Sequence, residues 1–283
     1  MAEHFAETMH AQMIDLPDGR FHYLSWGAER TELPAAVLVH GITSSALAWV
    51  RVGPALADRY RVYAFDMRGH GDSIHPAPGP GTYSLRQTAD DTAAFMKALG
   101  LERPLLIGHS WGGATAIVLA SGAWAQESVP AFSQVILEDP AWNFGQGGDL
   151  EKRVASYIKD IGRPPDELRP EISASNPGWT SADVEGKVDA MQKVTRDAVI
   201  SVFADAGLEG DVLPLLARIT APTLLIRADA HLGTTLNETN WARARQHLPA
   251  HSSAVEITGA THNVHRSKFT EFMQVVDDFL RQK

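Results

Sequence analysis

The sequence predicts an α/β protein: a doubly wound, mostly parallel eight-stranded sheet flanked by helices, with a helical cap inserted after the sixth strand. Two patterns carry this expectation. Short, nearly continuous apolar runs alternate with helical periodicity, and one long interval of helices alone interrupts the alternation before strands resume. The 283 residues are 44% hydrophobic, enough for a sizeable core, and single α/β domains reach this length without splitting.

The elements follow in order. Ile14-Asp15-Leu16, the turn residues Pro17-Asp18-Gly19, and Phe21 to Trp26 read as an opening antiparallel hairpin. Ala35 to His40, Arg61 to Phe65, Pro104 to Gly108 and Gln134 to Leu137 are apolar runs suited to strands covered on both faces. Between them, Leu85 to Leu99 has apolar positions at helical spacing and stops at Gly100, and Gly112 to Trp124 is an alanine-rich, apolar helix. After Pro140 no strand pattern appears until about Leu216. Amphipathic stretches near Leu150 to Ile161, Ser181 to Val194 and Arg196 to Ala206 are separated by Arg163-Pro164-Pro165 and Asn176-Pro177-Gly178. Residues 141–216 are therefore expected to form the cap, and 1–140 with 217–283 the core. Pro222 to Arg227, a helix around Thr239 to His247, Ala254 to Ile257 and a helix from Lys268 to Leu280 complete the sheet pattern.

Composition narrows the function. The net charge is −9 and no Lys/Arg stripe is present, which disfavours nucleic acid and anionic membrane as partners. Without cysteine, disulfides, thiolate metal sites and cysteine nucleophiles are excluded. The start MAEHFAETMHAQM lacks a basic region followed by an apolar one, and no stretch approaches a membrane span, so the expectation is a soluble, cytoplasmic protein. His262 and His265 are three apart without the acid of H-E-x-x-H, so no metal is expected, and no cofactor motif appears: no G-x-G-x-x-G opens the first helix.

The chemistry-bearing motif is Gly108-His109-Ser110-Trp111-Gly112, set between a buried strand and an apolar helix. That context is what G-x-S-x-G requires, since a sharp strand-to-helix turn lifts the serine above the sheet. Ser110 is the expected nucleophile. Together with His40-Gly41 after the first parallel strand, Asp66 to Ser73 after the next, and Gly259-Ala260-Thr261-His262 near the end, this order of motifs resembles the α/β-hydrolase family over nearly the whole chain. The resemblance implies His262 as the general base that activates Ser110, with His265 as its rival, and an oxyanion hole from the Ile42 and Trp111 amides. It also implies that His40 organises its loop and that the loop Arg68 to Ser73 is structural. Thr43, Ser44 and Ser45 fall in the same region as His40-Gly41.

The acid is where the chain departs from the family pattern. Counting three residues beyond Ala228 gives His231, which cannot serve, and the nearby carboxylate is Asp229, displaced by two positions. The competing site follows the preceding strand at Glu138-Asp139-Pro140, from which some relatives take their acid. Asp229 is the preferred acid, with Asp139 and then Glu138 as alternatives. Trp49, Trp142, Phe144 and Trp179 are candidate pocket residues, favouring a substrate with an apolar group.

The resemblance implies a serine hydrolase cleaving a small-molecule carboxylic ester or lactone. The same serine elbow supports C–C bond hydrolysis and perhydrolysis, whereas dehalogenase or epoxide hydrolase chemistry would call for an aspartate at position 110. A receptor for a small molecule on a hydrolase scaffold fits the same motifs.

Overall fold

The computed structural model describes residues 9–124, 131–145 and 150–282. Residues 1–8, part of the amino-terminal stretch expected to carry no leader, and residues 146–149 of the expected cap lie outside the described residues.

The chain runs β1 (Met9–Leu16), β2 (Gly19–Trp26), β3 (Ala35–Val39), α1 (Val52–Leu56), β4 (Arg61–Phe65), α2 (Leu85–Ala98), β5 (Leu105–His109), α3 (Trp111–Ser121) and β6 (Val135–Glu138). Helices α4 (Leu150–Ile158), α5 (Pro165–Ser175), α6 (Ser181–Lys193) and α7 (Arg196–Glu209) follow without a strand. The sheet resumes with β7 (Thr223–Ala228), α8 (Glu238–His247) and β8 (Ser253–Ile257), and the chain closes with α9 (Val264–Ser267) and α10 (Phe269–Leu280). Across the sheet the order is β1-β2-β4-β3-β5-β6-β7-β8, antiparallel at β1-β2 and β2-β4 and parallel elsewhere.

The apolar runs are buried because both faces of the central strands are covered. In β3, Val37 and Val39 join one core with Phe95 and Ile117 of α2 and α3, while Ala36 and Leu38 join the other with Leu56, Phe272 and Val276 of α1 and α10. Alternate side chains of a strand point to opposite faces, so one short apolar run serves two cores.

Two local features add to the expectation. Arg163-Pro164-Pro165 is more than a separator, because Pro165 opens α5. Proline is tolerated in a first helical turn, where its missing N–H would have no partner in any case. The closing helix forms as expected, as Phe269–Leu280, and a short helix that the pattern did not predict, α9, precedes it, the two parted by Lys268 at φ −138° and ψ 54°.

The four inserted helices are tied to loops at the carboxyl ends of the strands. The Asp205 carboxylate accepts from the Tyr83 N–H at 2.8 Å, and that of Glu209 from the Leu85 and Arg86 N–H groups at the start of α2. Lys193 pairs with Asp72 at 2.7 Å, and a small apolar cluster of Leu168, Val184, Val188 and Met191 holds α5 against α6. No helix among the described residues is long and apolar enough to cross a membrane.

Candidate active site

Ser110 sits between β5 and α3 with φ 54° and ψ −117°, a conformation costing about 1–3 kcal/mol that persists only where its surroundings enforce it. They do so here: the Ser110 N–H donates to Glu138 O at 3.1 Å, and its carbonyl accepts from Ala114 N–H at 3.0 Å and Ala141 N–H at 2.9 Å. The turn also needs Gly112. A Cβ there would overlap the Val39 carbonyl oxygen and lie 2.5 Å from that of His40, both on backbone that cannot move aside. Gly112→Ala is expected to destabilise the fold by about 1–3 kcal/mol, read as a lower denaturant midpoint.

The structure brings Ser110 and His262 together, with His262 Nε2 2.9 Å from the serine oxygen. On the other side of the ring, His262 Nδ1 lies 2.6 Å from Asp139 Oδ2. A carboxylate facing Nδ1 fixes the proton there and leaves Nε2 to accept the serine O–H. Sheet register accounts for this geometry. β5 and β6 are adjacent and parallel with His109 opposite Glu138, so the next residues along the two strands are Ser110 and Asp139.

Asp229 stands elsewhere, and here the expectation is corrected. Its Oδ2 accepts from Gly259 N–H at 2.7 Å and its Oδ1 from His231 N–H at 2.9 Å, amides that hold its carboxyl below the usual carboxylate range. It braces the loop after β7 against the turn leading to His262. The β7 loop supplies donors to the carboxylate that faces His262: Asp139, fully buried at φ 37°, accepts from Ala228 N–H, Thr234 O–H and Thr235 N–H. Three donors to one buried carboxylate offset much of its desolvation and fix its direction.

Glu138 and His265, the remaining rivals, pair with each other. Glu138 Oε1 accepts from the His265 backbone N–H at 2.9 Å, and both carboxyl oxygens lie 2.8 Å from its Nδ1. Burial pushes the Glu138 carboxyl up and the His265 imidazole well down, so this second pair is built for support beneath the site. His109 is also kept neutral by burial, and its Nε2–H donates to the His262 carbonyl at 3.0 Å.

Trp111 is the first residue of α3, so its N–H is among the amides that a helix leaves unpaired at its positive end. Ile42 shares a cavity of about 150 Å³ with Ser110 and His262. Two buried histidines shape the loop before it. His40 Nδ1–H donates to Gly41 O at 2.8 Å while its Nε2 accepts from Met67 N–H at 3.0 Å, and His70 Nε2 accepts from Thr43 N–H at 3.2 Å. Burial depresses both, His70 to about 3, which suits fixed neutral acceptors and not proton carriers.

Of the four aromatic residues expected in the pocket, Trp179 lines the cavity, as do Thr43 and Ser44. The other three do not. Trp49 is fully buried and stacks on His265 at 4.6 Å, and Phe144 packs edge-on against Phe203. The Trp142 indole N–H donates to Thr235 O at 2.9 Å, buttressing the loop that holds Asp139. Large apolar side chains beside a motif are drawn into the nearest core, since burial of each contributes about 1.5–3 kcal/mol. Tyr157, Lys187, Asn263 and Arg266 line the cavity without any sequence signal, because a cation on an amphipathic helix reads as solvated surface.

Among the described residues, His22, Asp66 and Asp72 could offer three metal ligand atoms within 4.8 Å of one another. Asp66 is already committed to His22 Nδ1 at 2.7 Å, Ala46 N–H at 2.6 Å and Asp72 N–H at 3.0 Å, which makes the trio a loop brace.

Residues 36–275 match the model of the alpha/beta hydrolase family. The chain is an α/β hydrolase. This hydrolase is 26% identical to 3-oxoadipate enol-lactonase 2 of Acinetobacter baylyi over 269 residues, covering 92% of this chain and 90% of that one. It is 37% identical to a fluoroacetate dehalogenase of a Burkholderia species over 111 residues, which span 38% of this chain and 35% of that relative. Among solved structures, the hydrolase superposes on E-2-(acetamidomethylene)succinate hydrolase with a TM-score of 0.78 at 19% identity, covering 96% of this chain and 99% of that one, a likeness of fold.

Proposed function

We propose that this hydrolase cleaves a small carboxylic ester or lactone through an acyl-enzyme on Ser110. The observation that carries the reading is the continuous chain from Ser110 Oγ to His262 at 2.9 Å and from His262 to Asp139 at 2.6 Å, opening on a cavity. His262 Nε2 takes the hydroxyl proton as Oγ bonds to the carbonyl carbon. The carbonyl becomes an oxyanion held by the Trp111 and Ile42 amides, donors whose individual loss costs about 10²–10³ in rate. Asp139 stabilises the imidazolium, which gives its proton to the leaving alcohol. Water, activated by the same imidazole, then adds to the acyl carbon and expels Ser110, and the products are the acid and the alcohol. For a lactone the leaving oxygen stays tethered, and one hydroxy acid results. The full-length likeness to an enol-lactonase supports this class. Helices α4 to α7 and their connections act as the cap over the site, since Tyr157 of α4, Trp179 of the α5–α6 loop and Lys187 of α6 line the cavity.

Labelling with a fluorophosphonate probe, followed by turnover of short aryl esters and lactones, tests the proposal. Stoichiometric modification of Ser110 with multiple turnover is expected. Labelling without repeated turnover would favour a ligand receptor on the same scaffold, and no labelling would remove Ser110 as nucleophile.

A further inference from the structure

The cavity around Ser110 contains two cationic side chains that ester cleavage does not require, Lys187 from α6 and Arg266 from α9. Among the described residues, none of the eleven that line it is a carboxylate. Arg266 is 1% exposed, yet its Nε and Nη2 have no hydrogen-bond partner among the described residues. The guanidinium lies over the Trp179 ring, 4.5 Å from its centroid, which covers one face and leaves the in-plane N–H groups uncommitted.

The carboxylates that act on Arg266 from a distance are engaged elsewhere. Asp183 Oδ2 accepts from Thr180 and Arg51 while its Oδ1 is buried without a partner among the described residues, no ion pair joins it to Arg266, and Glu138 is held by His265. Burial, only partly countered by those two acids, brings Arg266 down to about 10. Lys187 Nζ donates to Thr43 O at 2.6 Å and to Thr43 Oγ1 at 2.8 Å, which uses two of its three donors. Burial first, and then the Arg266 charge, holds this ammonium down to about 7, with Asp160 pulling the other way.

Two cations lining one cavity, neither in an ion pair among the described residues and each pushed down by burial that distant acids only partly counter, are unfavourable, and an anion bound beside them relieves both. A guanidinium edge with free N–H groups matches a carboxylate in a bidentate pair, and an ammonium adds a point charge beside it. We infer that the substrate carries a carboxylate, which Arg266 and Lys187 hold in the cavity while the ester or lactone carbonyl faces Ser110. The inference rests on the reading of Ser110 as the nucleophile. The cavity, about 150 Å³, lies below the range of about 300–1,000 Å³ usual for drug-sized ligands, so the acid is small.

Two matched pairs of esters test this on the folded wild-type chain and separate the two places a carboxylate can sit. Methyl hydrogen succinate against methyl 4-oxopentanoate puts the charge on the acyl side, and O-acetylglycolate against acetoxyacetone puts it on the alcohol side. In at least one pair the anionic member is expected to have the higher kcat/KM by about 10- to 100-fold, chiefly through KM, the range for hydrogen bonds to a charged group. Arg266→Met and Lys187→Met should each shrink that ratio. Equal or better use of the neutral ester in both pairs would overturn the subsite, as would a preference that both variants leave intact. Calorimetry with succinate supplies a readout independent of turnover: binding weakened by Arg266→Met is expected, and no binding to the wild type overturns the inference. Should no ester react and Ser110 resist the fluorophosphonate while succinate still binds, the nucleophile reading fails and the anion site stands.

Discussion

Ser110→Ala is expected to lower ester turnover by about 10⁶-fold while leaving the fold intact. Loss of the nucleophile removes the covalent route, and only the slow catalysis by the oxyanion donors and binding remains. The fold should tolerate the change because the Ser110 side chain bonds His262 at a cavity wall, whereas its strained backbone is held by Glu138, Ala114 and Ala141 through main-chain contacts that alanine keeps. Steady-state hydrolysis of a short aryl ester and a thermal melt followed by circular dichroism measure the two effects. Substantial turnover by the alanine variant would remove the central claim.

Asp139→Asn should cost about 10⁴-fold in turnover with little change in substrate binding. An amide in place of the carboxylate no longer stabilises the imidazolium. It can also turn its NH₂ towards His262 Nδ1, which moves the ring proton to Nε2 and blocks the acceptance of the serine proton. Asp229→Asn is the control, since that carboxylate faces the Gly259 and His231 amides. It should retain most of the activity. Glu138→Gln disturbs the His265 pair below the site, and its loss should appear mainly in melting temperature. A large rate loss in Asp229→Asn with an active Asp139→Asn would reverse the assignment.

Ser110 was readable because its geometry is local: a strand, a glycine-flanked serine and a helix are contiguous, and a Cβ at Gly112 has no room whatever else the chain does. The carboxylate that faces His262 was not local. The two-residue displacement of Asp229 signalled that something had moved, and Glu138-Asp139-Pro140 was visible as the other place. Choosing between them required knowing that Asp139 lies beside Ser110 across the β5-β6 register, and that Thr234 and Thr235 turn their donors towards it.

Alternation of short apolar runs with helical periodicity therefore determined the α/β class, and the elbow determined the turn that presents Ser110, because each depends on neighbours within a few residues. Tertiary structure alone decided which acid meets His262, which tryptophan reaches the cavity, and that Lys187 and Arg266 enter it. Those pairings join groups far apart in the chain, 123 residues between Asp139 and His262 and 144 between Thr43 and Lys187. The packing of α4 to α7 over the carboxyl ends of the strands brings side chains of this segment to Ser110, and no periodicity along the sequence encodes which face of each helix ends up there.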